Sequence, residues 1–171
     1  MSQSSTQRSH PSQRTFLRYE HVLDGDGFIL KILFGDGSSK KPSVKGRFVR
    51  TSWFQEEQAA SAVLHRNTFG TQPASGNFLN LGLKNVANTN AQVWGGKLLA
   101  LWEAGMPFEM DRDTLDTTGA TSLGGKFQLG PDGRGQPVDT GVLLVNSLLG
   151  FGGSAFTAHP HIDPALKHFV G

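Results

Sequence analysis

The chain has 171 residues, a net charge of +2 and no cysteine, and 37% of its residues are hydrophobic. A single globular domain of this size takes roughly 70% of its unfolded surface out of water, with no need of a disulfide or structural metal to hold it together. Thiolate zinc sites, a cysteine nucleophile and a disulfide framework are excluded outright; no nucleic-acid partner is expected, because no Lys/Arg run is interleaved with aromatics, and no segment approaches the roughly eighteen apolar residues that span a bilayer.

Residues 1–15 open with MSQSSTQRSHPSQR, which is Ser-rich, free of acids and poor in large aliphatic residues, so a disordered tail is predicted. An organelle transit peptide has a similar composition, but this segment is short and lacks an amphipathic face. The remainder, 16–171, reads as mainly all-β, with the 22 glycines marking tight turns between short strands. FILKILF (28–34) lies between DGDG and GDGSS and is predicted as a buried strand flanked by Asp-Gly turns; 47–52 is predicted as the next strand. Over 52–64 the pattern changes. Phe54, Ala59, Ala62 and Val63 recur at helical spacing, with Ser52 available as a cap and Glu56 and Glu57 near the start, so a short helix is predicted there.

QVWGGKLLALW (92–102) reads as a hairpin turning at Gly95-Gly96, its second strand ending at Glu103. Residues 108–115 read as a further edge with a turn at 111–113. From 121 to 154 the chain is rich in Gly and Pro, includes GPDGRGQP, and is predicted as an insertion-like loop. Within it GVLLVNSLLGFGG (141–153) is too short to cross a membrane and reads as a buried strand in preference to a membrane-touching loop.

Two motif matches fail on context. GFGGSA (150–155) satisfies the dinucleotide-binding G-x-G-x-x-A pattern, yet Pro160 interrupts the helix that would have to follow. Asp24-Gly25-Asp26-Gly27 starts like a calcium loop, but Phe28 falls where an oxygen ligand is needed and no closing Glu follows; two Asp-Gly turns are the better account. In FTAHPHIDP (156–164), His159 and His161 are one residue apart, and an extended backbone before Pro160 would set both rings on one side. Either is a candidate metal ligand. Spacing alone supplies two ligands where a usable site needs three or more, and His10, His21, His65 and His168 form no second cluster, so an ordinary histidine pair remains the better reading at this level.

The succession YEHVLDGDGF, GRFVRTSWFQEEQAA, NVANTNAQVWGGKLLALWEAGMPFEMDRDTLDT and AFTAHPHIDP resembles the carotenoid cleavage oxygenases, a family that includes apocarotenoid and lignostilbene oxygenases and the animal retinoid isomerase. The likeness runs from about Tyr19 to Pro164, interrupted by the 121–154 loop. It implies part of a seven-bladed β-propeller, whose four axial histidines hold ferrous iron, Fe(2+), that activates dioxygen for cleavage of a conjugated double bond in an apolar polyene substrate, a carotenoid or apocarotenoid. Ala158-His159-Pro160 matches the family's first liganding motif, which makes His159 the metal ligand and His161 the runner-up. Neutral imidazole suits Fe(II), and all-nitrogen ligation leaves open positions for dioxygen and substrate. Glu103, at the end of LLALWE, matches one of three glutamates that accept the other ring N–H of a liganding His and fix its tautomer.

The sequence also departs from the family pattern. Members carry a further strand with an Arg-Asn-Gly-Pro-Asn segment where this chain has its Ser-rich tail, and their three other liganding histidines follow the Ala-His-Pro motif, whereas this sequence runs only seven residues past Pro164. The chain is therefore expected to be an incomplete propeller that by itself neither holds iron tightly nor turns over substrate. A non-catalytic propeller-derived binding module and the family's isomerohydrolase activity are the alternatives. Family members often touch membranes peripherally to extract apolar substrates, and the 141–153 segment or the loop near Phe69 is available for that contact; a cytoplasmic or plastid location is left open.

Overall fold

A computed structural model describes residues 19–35, 41–72, 83–103, 105–127 and 155–170. The tail at 1–15, the strand read at 141–153 and most of the 121–154 loop lie outside the described residues. What is described is mainly β with one short helix, as expected.

The first unit is an antiparallel hairpin of β1 (Phe28–Leu33) and β2 (Ser43–Phe48), in register from Phe28↔Phe48 to Leu33↔Ser43. The strand read at 47–52 thus sits four residues earlier. The cause is that Val49 turns its N–H to the Gly27 carbonyl (2.8 Å) and Thr51 is committed to the helix that follows. Gly27 is required at its place: its N–H reaches the Val86 carbonyl at 2.8 Å, and a Cβ there would lie 2.1 Å from the Ala87 carbonyl oxygen. Phe28, Leu30, Ile32, Val44 and Phe48 leave one face of the hairpin apolar and exposed among the described residues, so the buried strand read at 28–34 is corrected: a strand forms there, but none of its residues is buried.

Helix α1 (Ser52–Ala60) is capped by Thr51, whose Oγ1 accepts the Phe54 N–H at 3.1 Å, and not by Ser52. It stops at Ala60 instead of reaching 64. Ser61 adopts a left-handed conformation (φ 50°), the Ala62 amide reaches the Glu57 carbonyl at 3.3 Å, and the Leu64 and His65 amides donate to Glu57 Oε1 at 2.9 and 3.1 Å, so the chain wraps back around a side chain.

The second unit is a four-stranded antiparallel meander, β3 (Asn90–Trp94), β4 (Lys97–Leu101), β5 (Phe108–Met110) and β6 (Thr117–Ala120). The hairpin turn falls on Gly95-Gly96 as read, both with positive φ (56° and 80°), the geometry that a two-residue turn needs to match strand twist. β4 ends at Leu101, before Glu103. The edge read at 108–115 is only β5, because Asp111 Oδ1 captures the amides of Asp113 (2.9 Å) and Thr114 (2.7 Å) and turns the chain into β6, a strand with no apolar alternation to announce it. Alternation along β4 feeds two cores. Leu98 and Ala100 pack with Val49, Trp53, Ala87, Phe108, Met110 and Leu115, while Leu99 and Leu101 pack with Phe156 and Ala158.

The chain re-enters at Ala155 and ends the described residues with a small hairpin, β7 (His161–Asp163) and β8 (His168–Val170). Ala158 and His159 sit at a bend, and strand pairing starts only at His161. The extended-backbone reading of His159-Pro160-His161 is corrected accordingly: period-two alternation does not reach back to His159.

Candidate functional site

Glu103 and His159, 56 positions apart in sequence, line one cavity of about 600 Å³ together with Leu23, Phe69, Leu83 and Trp102. The end of β4 brings Glu103 there. Its Oε2 accepts the Ala158 N–H at 3.0 Å and its Oε1 takes the Thr157 hydroxyl at 3.4 Å. The Asn90 side chain donates to the Ala158 carbonyl at 2.9 Å, so the residue before His159 is held on both its backbone polar groups and is fully buried. One residue further back, the Phe156 N–H reaches the Gly105 carbonyl at 3.2 Å, which splices this segment onto the loop after β4. A Cβ on Gly105 would fall 2.3 Å from the Nδ2 of buried Asn85, which is held on the Met106 carbonyl, so the loop leaves no room for a side chain there.

His159 itself is exposed on the cavity, its amide donating to Thr157 Oγ1 at 3.1 Å. His161 opens β7 and is not among the cavity-lining residues. Glu103 therefore acts on the histidine segment through the backbone of Ala158, fixing where the His159 side chain starts.

A second polar constellation escaped the sequence reading. The Lys84 ammonium is fully buried, 2.7 Å from Asp26 Oδ1, 2.7 Å from Glu57 Oε2 and 3.0 Å from the Tyr19 hydroxyl. Tyr19 in turn lies 2.8 Å from Asp26 Oδ2 and 3.1 Å from Glu57 Oε2. Burial first, and then the two carboxylates, hold the Tyr19 hydroxyl far above the usual tyrosine range. Burial likewise pushes the Asp26 carboxyl above its ordinary value of 3.8, against the opposing pull of Lys84 and Tyr19. The available signal was Glu57, an acid at helical spacing from Trp53 and Phe54 on the buried face of α1.

The Asp-Gly-Asp-Gly carboxylates are likewise not turn-makers. Asp26 belongs to the lysine cluster, and buried Asp24 accepts the Phe69 and Thr71 amides at 2.9 and 3.0 Å. The reading of this motif as two Asp-Gly turns is corrected accordingly, since both carboxylates are committed to residues distant in sequence.

A family model described as retinal pigment epithelial membrane protein matches residues 7–171. The chain belongs to the carotenoid cleavage oxygenases. Among its relatives in this family, apocarotenoid-15,15'-oxygenase of Synechocystis is 39% identical over 150 residues, covering 85% of this chain and 25% of the relative. Carotenoid cleavage dioxygenase 7, chloroplastic, of Oryza sativa is 38% identical over 107 residues, covering 60% of this chain and 17% of the relative. A crystal structure of cobalt-substituted Synechocystis ACO superposes with a TM-score of 0.62 at 35% identity over 85% of this chain and 26% of that one. The oxygenase-family chain thus spans about a quarter of the length of the relatives it matches, and its two antiparallel hairpins and four-stranded meander are part of a propeller.

The cavity presents one exposed imidazole, His159, and among the described residues no three His, Cys, Asp or Glu side chains converge as a metal group. Among the described residues no helix is long and apolar enough to cross a membrane.

Proposed function

We propose that this chain is the part of an iron-dependent oxygenase that supplies His159 as one of four histidine ligands to Fe(2+), for oxidative cleavage of a conjugated carbon–carbon double bond in an apolar polyene of the carotenoid or apocarotenoid class. The observation that carries the reading is the Glu103–Ala158 hydrogen bond, which puts the end of β4 and the histidine segment on one cavity. Ferrous iron, when bound, supplies dioxygen activation. The chain's own contribution is positional. Glu103 and Asn90 fix the backbone before His159, and its imidazole offers a nitrogen donor from a set place. Leu23, Phe69, Leu83 and Trp102 give the cavity apolar walls that suit a polyene. The relatives' names, apocarotenoid oxygenase and carotenoid cleavage dioxygenase, support the substrate class, and the cobalt-substituted structure supports a metal centre.

The test is made in the polypeptide that carries this chain at the full length of its relatives. His159→Ala should lower bound iron at least about tenfold and abolish oxygen-dependent bleaching of a polyene, while His161→Ala should change neither by more than about twofold. Iron retained by His159→Ala, or lost equally with His161→Ala, would overturn the assignment. For the 171 residues alone, iron analysis should give far less than one Fe per chain, since a single imidazole does not retain a metal; a stoichiometric content would refute this.

A further inference from the structure

We propose that the Asp24-Gly25-Asp26-Gly27 motif is a positioning device for the cavity, in which the Asp24 carboxylate sets the place of Phe69 and thereby part of the apolar lining of the cavity that His159 and Glu103 also line. The proposal rests on the reading of that cavity as an apolar-ligand site. Asp24 is 1% exposed, and its two oxygens are both turned on the 66–72 loop, Oδ1 to the Phe69 amide at 2.9 Å and Oδ2 to the Thr71 amide at 3.0 Å. A buried carboxylate on two amides makes the stronger, charge-assisted kind of hydrogen bond. A third bond, from the Glu20 amide to Thr71 Oγ1 at 2.9 Å, ties the same loop to the segment before the motif.

Among the described residues, Phe69 is held by this anchor and by one ring contact. Its side chain is 51% exposed and stacks on His21 at 5.1 Å between ring centroids, 22° between planes. His21 Nδ1 in turn accepts the Leu23 amide at 3.1 Å, and the Asn88 side chain donates to the Leu23 and Gly25 carbonyls at 2.8 Å each. Leu23, Phe69 and Asn88 all line the cavity. Part of the lining is therefore assembled around the motif, while Trp102 and Glu103 come from the end of β4, and His159 from the segment that Glu103 holds. Asp26 extends the same logic, since it ties the motif to Lys84, the neighbour of the wall residue Leu83. Asp24 touches no reacting group in this account; it acts through Phe69.

The experiment uses the 171-residue chain, with diphenylhexatriene as a neutral conjugated probe and residue-resolved amide hydrogen exchange. Asp24→Asn keeps one acceptor oxygen and turns an amide group towards the other N–H, so exchange at Phe69 or Thr71 should rise about tenfold while the β3–β6 amides stay unchanged. Probe affinity should fall about fivefold in D24N and by a similar factor in F69A, and the double variant should lose no more than either alone. If D24N does not fold, the parent chain decides: corrected for intrinsic rates, the Phe69 and Thr71 amides should exchange at least about tenfold more slowly than the Gly70 amide between them, and equal rates would overturn the proposal. Unchanged exchange at Phe69 and Thr71 in D24N, or additive losses in D24N/F69A, would overturn the proposal. If the parent chain does not bind the probe at all, the apolar-ligand reading fails, and the exchange measurement still decides whether Asp24 positions Phe69.

Discussion

Replacing Lys84 by Met is the sharpest test of what holds the chain together around the cavity. The ammonium is 0% exposed and faces two carboxylates, whose own side chains are 6% and 1% exposed, at 2.7 Å each. Methionine fills most of the volume but leaves Asp26 and Glu57 buried beside one another with no cation. Breaking a buried pair from one side costs about 3–5 kcal/mol, a large share of the roughly 5–15 kcal/mol that holds a domain folded. For a chain of this size that is a drop in Tm of roughly 6–20 °C. Calorimetry and urea melts at pH 7 read it directly. The pH dependence supplies a second arm. Because the folded-state pKa of Asp26 is raised above 3.8, its contribution to stability is complete below 3.8 and is lost as pH rises through the raised value. Without Lys84 that pKa moves up further, so the K84M penalty should shrink as pH falls and Asp26 takes up its proton. A penalty under about 1 kcal/mol at pH 7, the range of exposed ion pairs, or one that does not diminish towards acid, would refute the reasoning.

Gly27→Ala places a methyl 2.1 Å from the Ala87 carbonyl oxygen, which is backbone and cannot swing aside; a loss of about 3 kcal/mol or more is expected in the same melts. Glu103→Ala strips the acceptor from the amide of fully buried Ala158, at a cost of about 1–3 kcal/mol with faster exchange at that amide, whereas Glu103→Gln, which keeps a carbonyl oxygen, should recover at least half of the loss. Asp111 sits in a solvent-exposed turn, its pKa held below 3.8 by the amides of Thr114 and Asp113. Its stabilisation is complete above 3.8 and disappears as pH falls through the lowered value, so the Tm gap between Asp111→Ala and the parent at pH 7 should close on acidification.

The elements legible in the sequence are those whose cause is local. Gly95-Gly96 can take the two positive φ values of a tight hairpin turn, and α1 begins where helical spacing begins. Boundaries moved where a distant group took over a backbone bond: Gly27 withdrew Val49 from β2, and Glu57 withdrew Leu64 and His65 from the helix. β6 has no apolar alternation and is specified by its neighbour β5. The pairing of Glu103 with the histidine segment came from family likeness, since nothing in the spacing of two residues 56 positions apart requires them to meet. The Lys84 cluster was illegible for a related reason. Tyr19, Asp26, Glu57 and Lys84 come from four separate segments, and each taken singly reads as an ordinary surface charge or aromatic.

Strand β4 has one further consequence. In most half-buried strands a slip of one residue is forbidden because it would throw the apolar set into water. Here Leu98 and Ala100 serve one core and Leu99 and Leu101 the other, so both registers would bury leucine and the hydrophobic pattern does not choose between them. The choice falls to the ends of the strand. At one end the Gly95-Gly96 turn and the Lys97–Glu109 ion pair fix the phase; at the other, the Thr89 amide meets the Leu101 carbonyl at 3.0 Å. Substituting the glycines should therefore produce a chain that is still compact but mis-threaded, with Glu103 delivered one residue away from the amide it now holds.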